Sequence, residues 1–383
     1  MPATGHTDIP LRVRVLLVSA SIGEGHDAPA RILAAALQER GAETTILDAF
    51  AVAGPIVQRM AGAGTQYDSQ LGNVLYDVVH PFVAERPRGQ RATARLIDLL
   101  AGRRSREAVE AARPDVIVST YPGATVMLGR LRADGRLRVP LASAVTDLAS
   151  LRWWVHAGVD CHLLIHPESA VEVHRIAGAG ARAVAVHGLT DPRFTRPVPR
   201  SQARRRLELP VEGSVVVVSG GGWAVGDLRG AVEAALALHV GAVVVLCGRR
   251  DDVRAALEER YAGTDAVRVW GFTEQMPELL AAADVLVHST AGLTVLEALM
   301  CGARVISFGW GRGHIRANNR AYAQLGLAAV AADRAQLVAA LADALAAGPA
   351  APLRPVLPEA ADVVLALAGT TREAACPSMP GME

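Results

Sequence analysis

The segment Ser289-Thr290-Ala291-Gly292-Leu293, followed by Glu297, brings two kinds of chemistry together. It comes after the apolar run 283–288 and opens a helix-patterned stretch that ends at Gly302. Ser289, Thr290 and Gly292 therefore stand where a helix start leaves backbone N–H groups without partners, an end that favours phosphate. Glu297 lies more than one turn into the helix, too far along to hold the same phosphate. Its carboxylate can instead accept hydrogen bonds from the two hydroxyls of a ribose. The pair suggests a nucleotide, as carried by an activated sugar. The competing reading is an ordinary capped helix with Glu297 facing solvent.

Four further places carry chemistry. Gly23-Glu24-Gly25-His26 follows a strand-like run and offers an imidazole from a glycine turn, and the ordinary pKa of that group suits a general base. A histidine that merely caps the next helix is the alternative. Gly23-x-Gly25-x-x-Ala28, with Asp48 closing the next strand, also fits a relaxed dinucleotide fingerprint. An NAD(P)-dependent oxidoreductase is therefore a rival, although His26 would crowd a pyrophosphate there. Asp147, at a strand end, can orient an acceptor hydroxyl, support His26 electrostatically, or cap a turn. Gly220-Gly221-Gly222 removes side chains from a strand-to-helix turn, so that backbone can approach a diphosphate. His314 and Asn318, after Gly313, are one helical turn apart and can face the same polyhydroxylated ligand.

The elements that must position these residues read as alternating strands and helices. Strand-like runs lie at 13–19, 44–47, 116–119, 141–145, 161–165 and 183–187, and again at 214–218, 242–246, 267–270, 283–288 and 304–307. A helix is expected over 28–40, closed by Gly41. Pro192, Pro197, Pro199 and Pro210 among arginines mark an interdomain linker at 191–210. The fold class is α/β, with two Rossmann-like, doubly wound domains at 11–190 and 211–347 facing a central cleft. Residues 348–383 read as a Pro-rich segment, a short helix at 359–368 and a disordered tail.

The net charge of +1 gives no reason to expect a nucleic-acid partner. Cys161, Cys247, Cys301 and Cys376 are far apart, so neither a zinc site nor a disulfide framework is expected, and a reducing cytoplasm fits. The first ten residues lack the pattern of a signal peptide, and no apolar run reaches the length of a membrane span. Within 82–106, arginines 86, 88, 91, 95, 103, 104 and 106 interleave with Phe82, Val83, Leu96, Ile97, Leu99 and Leu100. That pattern suits an anionic lipid surface on the inner face of the cell membrane, or simply a solvated helix.

Taken together, several segments resemble family 28 glycosyltransferases over about 13–332. In the first half they are Ser21 to His26, Arg113-Pro114-Asp115, Thr146-Asp147, Trp154-Val155-His156 and Val159-Asp160. In the second they are Cys247-Gly248, Gly271-Phe272, Met276, Ser289 to Glu297, and Gly313 to Asn318. The branch with monogalactosyldiacylglycerol synthases and processive diacylglycerol glucosyltransferases is the nearest in pattern. The resemblance implies the GT-B fold and inverting hexosyl transfer from a UDP-sugar to a lipid or other hydrophobic acceptor, with no metal and no cofactor. It implies Phe272 and Thr273 beside the uracil with Met276 nearby, Glu297 on the ribose, and Thr290, Ala291, Gly292 and Leu293 on the phosphates. His314 and Asn318 would meet the sugar, and His26 would be the base. Arg193, in the turn Gly188-Leu189-Thr190-Asp191-Pro192-Arg193, is a further phosphate candidate. The chain has Thr290-Ala291-Gly292 where the family often has Pro-Gly-Gly, and Gly313-His314-Ile315 where it often has Gly-Gln-Glu, which leaves the sugar open. A UDP-sugar epimerase or a non-catalytic UDP-sugar binder would use the same cleft.

Overall fold

The computed structural model describes residues 12–21, 24–54, 87–290, 292–309, 311 and 313–375. Gly23, Ala291, 82–86 and Cys376 lie outside the described residues. Aliphatic runs without polar alternation become strands covered on both faces, as parallel sheets require. In the first half, β1 (Arg14–Ser19), β2 (Glu43–Asp48), β3 (Val116–Ser119), β4 (Leu141–Val145), β5 (Cys161–Leu164) and β6 (Ala183–Ala185) form one sheet. Its order is β2-β1-β3-β4-β5-β6. In the second half, β7 (Val215–Ser219), β8 (Ala242–Leu246), β9 (Val267–Trp270), β10 (Val285–His288), β11 (Arg304–Phe308) and β12 (Ala329–Ala331) form another. Its order is β12-β11-β10-β7-β8-β9, and every pairing in both sheets is parallel.

Strand order reverses between β1 and β3 in the first sheet and between β7 and β10 in the second. In open parallel sheets the crevice beyond such a reversal is where ligands settle. The connections after β1 and β3 carry His26, in the first turn of the helix that follows, and Thr120, and those after β7 and β10 carry Gly221 and Thr290. The topology thus aims both halves' chemistry at one place.

Three boundaries differ from expectation. The first helix spans Glu24–Glu39 rather than starting at Ala28, so His26 belongs to its first turn and not to an open glycine turn. Part of the expected linker is a helix, Arg200–Arg206, packed on the Met276–Ala282 helix of the second half. Arg204 fixes it: its side chain is only 5 % exposed, and it donates to Asp284 Oδ2 at 2.6 Å and to the Ala282 carbonyl at 3.0 Å. Asp284 also accepts from the Val215 N–H at 2.7 Å, which ties the helix to β7.

The third difference is at the end of the chain. Residues 369–375, expected to be disordered, continue a helix that spans Ala360–Ala375 and packs on the first half against the Glu24–Glu39 helix and β3. Ala360, Val364 and Leu367 are buried there, Arg40 pairs with Asp362 at 2.6 Å, and Ala360 N–H donates to the His187 carbonyl at 2.9 Å. Cys161, Cys247 and Cys301 are buried and unpaired. No helix among the described residues is long and apolar enough to cross a membrane.

Candidate active site

His26 sits between two aromatic rings, Tyr121 at 5.3 Å and Trp154 at 5.7 Å between centroids. Buried hydroxyls hold the loops that carry those rings. Thr125 Oγ1 donates to Ser119 Oγ at 2.9 Å, Ser119 Oγ to the Tyr121 carbonyl at 2.9 Å, and Ser143 Oγ to the Trp154 carbonyl at 2.8 Å. His26 Nδ1 lies 3.1 Å from the Thr120 carbonyl oxygen, which can only accept. Nδ1 therefore carries the proton, and the Nε2 lone pair is left for chemistry. Burial pushes the imidazole below its ordinary value, Asp147 pulls it back up, and His314 adds a smaller downward push. His26 is thus held neutral, the state a general base needs.

Across the cleft, Gly292 precedes the Leu293–Cys301 helix with φ 91° and ψ −142°, a backbone that a side chain would strain. A Cβ on Gly292 would sit 3.4 Å from the Thr146 carbonyl of the first half, so the two halves nearly touch at the helix start. Leu293 opens the helix and is buried. Gly221 lies against Thr290, a Cβ there falling 3.4 Å from Thr290 Cγ2, which brings the glycine turn and the helix start into one site. Around Gly222 the space is open. Glu297 is half-buried and makes no hydrogen bond or ion pair with the described residues. Burial, helped by the charge of Asp191, pushes its carboxyl up to about 8.

Phe272 is 48 % exposed and the Arg249 guanidinium lies over its ring, 4.1 Å from the centroid. Thr273 Oγ1 accepts from the Gln275 N–H at 3.1 Å, and Met276 begins the Met276–Ala282 helix, half-buried on the core. Gly313 precedes the His314–Gln324 helix, whose first residue, His314, faces His26 closely enough to affect it.

Asn318 and Arg193 are engaged elsewhere than expected. Asn318 has no exposed surface, and its Oδ1 accepts from the Leu148 and Ala149 N–H groups at 2.7 and 3.2 Å. Its Nδ2 donates to the His314 carbonyl at 2.8 Å, the Ala149 carbonyl at 3.3 Å and Asp147 Oδ1 at 3.4 Å. It clamps the two halves together and has no group left for a sugar. Asp147 in turn accepts from Trp154 Nε1 at 2.8 Å, so its carboxylate is fixed beside His26 rather than open to an acceptor. The Arg193 guanidinium binds Asp191 at 2.8 Å and lies 3.6 Å from Glu278. A phosphate there would meet two carboxylates. Asp48 accepts from the Ser21 and Ala51 N–H groups, both at 2.8 Å, which occupies the acid a dinucleotide ribose would need.

Arg249, Glu24 and the hydroxyl chain carry no sequence signal of their own, since each acquires its role from a distant partner. A mainly apolar cavity of about 240 Å³ between Ile165, Leu189, Met300 and Leu353 is lined by none of the candidate residues. No group of three metal-ligating side chains gathers among the described residues.

The sequence matches the monogalactosyldiacylglycerol (MGDG) synthase family over residues 26–190 and the glycosyl transferases group 1 family over 216–347. It is 24% identical over 305 residues to a processive diacylglycerol beta-glucosyltransferase of Bacillus pumilus, covering 77% of each chain. The same enzyme from Bacillus subtilis is 24% identical over 303 residues, again 77% of each chain. Among solved structures, Acinetobacter baumannii MurG superposes with a TM-score of 0.55 at 18% identity, over 94% of this chain and 99% of that one. Arabidopsis thaliana UGT89C1 gives 0.52 at 16% identity, over 96% of both chains. The two six-stranded parallel sheets with their flanking helices match the GT-B fold of these neighbours.

Proposed function

Because this chain is a family 28-like glycosyltransferase of GT-B architecture, a hexosyltransferase, we propose that it moves a hexosyl group from a UDP-sugar to a hydroxyl of a diacylglycerol-like lipid, with inversion. The observation that carries this reading is His26, held neutral with Nε2 unprotonated and acted on by Asp147, whose neighbour Thr146 meets the start of the Leu293–Cys301 helix at Gly292. Nε2 takes the proton of the acceptor hydroxyl while its oxygen bonds the anomeric carbon. The bond from that carbon to the diphosphate breaks on the opposite face, which inverts the centre. The imidazolium that forms lies near Asp147, which favours it.

The departing diphosphate is met by N–H groups at Thr290, Gly292 and Leu293 and by the backbone of Gly221 and Gly222, with no cation or cofactor required. Phe272 stacks on the uracil, Thr273 and Met276 flank it, and Glu297 accepts from the ribose hydroxyls. His314, with Gly313, meets the sugar. The acceptor arrives from an anionic membrane surface on the cytoplasmic side, met by exposed Leu96, Leu99 and Leu100 among arginines. The names of the Bacillus relatives support the lipid acceptor.

The test is to incubate the chain with a panel of UDP-sugars, with and without diacylglycerol, and follow UDP release and the anomeric configuration of the product. Release that needs the lipid, with inversion, is expected. Donor conversion without acceptor would indicate an epimerase, and NADH binding that UDP does not displace would indicate an oxidoreductase.

A further inference from the structure

Arg249 is held at three points. Its backbone N–H donates to the Gly222 carbonyl at 2.9 Å, its guanidinium covers Phe272, and its Nη2 donates to Glu24 Oε1 on the other half. Glu24 lies two residues before His26 in the same helical turn and also accepts from Arg31 at 2.7 Å. That turn lacks one rung to the rest of its helix, because Pro29 has no N–H to bond the Gly25 carbonyl. A small shift of Glu24 therefore moves His26 without breaking that rung.

We propose that Arg249 is a positioning residue which the donor's pyrimidine must displace from Phe272, and that its pair with Glu24 makes the placement of His26 depend on that displacement. The proposal rests on Phe272 being the base platform. A ring face covered by a guanidinium cannot also hold a base. Once lifted, the guanidinium keeps its carboxylate partner, so the turn that carries His26 follows it. The acceptor hydroxyl then meets a correctly placed base only when donor is bound, and donor binds first.

The experiment measures UDP affinity by calorimetry, inhibition by inorganic pyrophosphate, and kcat for wild type, Arg249→Met, Glu24→Gln and the double variant. Both side chains are partly exposed, at 51% and 29%, so the fold tolerates the changes. Arg249→Met should bind UDP about two- to fivefold more tightly, as an exposed cation–π contact no longer competes. Pyrophosphate, which has no base, should inhibit as before, and kcat should fall about tenfold through misplacement of His26. Glu24→Gln should lose kcat with a smaller change in UDP affinity, and the double variant should turn over no more slowly than Arg249→Met. Weaker UDP binding by Arg249→Met, or an unchanged kcat, overturns the proposal while leaving the transferase reading intact. Failure of the wild type to bind UDP overturns both.

Discussion

Replacing Asn318 by alanine separates a clamp from a sugar ligand. The side chain is fully buried and supplies five contacts, two of them accepted from the Leu148 and Ala149 N–H groups. Leu148 is 4% exposed, so its N–H would be left dry and unpaired, costing about 1–3 kcal/mol. Ala149 is half-buried and can turn to water, which adds little. Loss of the 2.8 Å bond to the His314 carbonyl adds about 1 kcal/mol. Asn318→Ala should therefore destabilise the chain by about 2–4 kcal/mol, read from urea unfolding midpoints. Because Asp147 also loses a contact, kcat should fall while the donor KM stays put. Asn318→Asp keeps the acceptor but sets a second carboxylate beside Asp147. That group's folded pKa would be raised, so the variant should lose stability as pH rises through the carboxylate range. A stability change below about 0.5 kcal/mol, with donor KM alone altered, would restore Asn318 to the sugar site and refute the clamp.

His26→Ala should lower kcat by about 10²–10⁴-fold with UDP affinity retained. The acid limb of the wild-type pH–rate profile should fall below the ordinary histidine value, and Asp147→Asn should move it lower still, since Asp147 raises the His26 pKa. Glu297 binds its proton in the folded chain up to about pH 8 but only to 4.5 when unfolded, so stability should drop as pH rises between those values, by up to about 5 kcal/mol. Glu297→Gln should abolish that drop and weaken UDP binding; wild type near pH 7 should release about one more proton on binding UDP than the variant does, read by calorimetry in two buffers. His162, His166 and His288 are pushed down to about 4 by burial, so their contribution is complete above about pH 6.5 and is lost as pH falls toward 4, about 3 kcal/mol per group. A urea unfolding midpoint that did not fall between pH 6.5 and 4 in Glu297→Gln, where that carboxyl no longer titrates, would contradict this. Leu99, 82% exposed, should insert into lipid, and Leu99→Asp should cut binding to anionic vesicles about tenfold or more. Sedimentation indifferent to lipid charge would exclude the membrane contact.

The sheets were legible because Val215–Ser219 or Leu141–Val145 can satisfy a continuous apolar run only between two covering layers. The glycine loops were legible because so few side chains at strand ends leave backbone as the binding group. The edge strand β12 was missed, since Ala329-Val330-Ala331 is too short to show a period. The helix start at Glu24 was misread because Gly25 and Pro29 are both residues that usually interrupt helices. Asn318 looked like a sugar ligand because a residue one turn from His314 faces the same way; what it faces is the Leu148–Ala149 backbone, 170 positions away in the chain. The roles of Arg249 and Arg204 likewise depend on Glu24 and Asp284, which no local pattern connects to them.

The docking of Ala360–Ala375 on the first half means that the polypeptide passes between the halves twice, near 191–199 on the way out and near 348–359 on the way back. A single tether would let one half tumble against the other, whereas two parallel tethers leave only rotation about the line that joins them. Any movement of one half against the other is thereby reduced to a single swing, and a chain cut after 347 would lose both the second pivot and part of the first half's apolar interior.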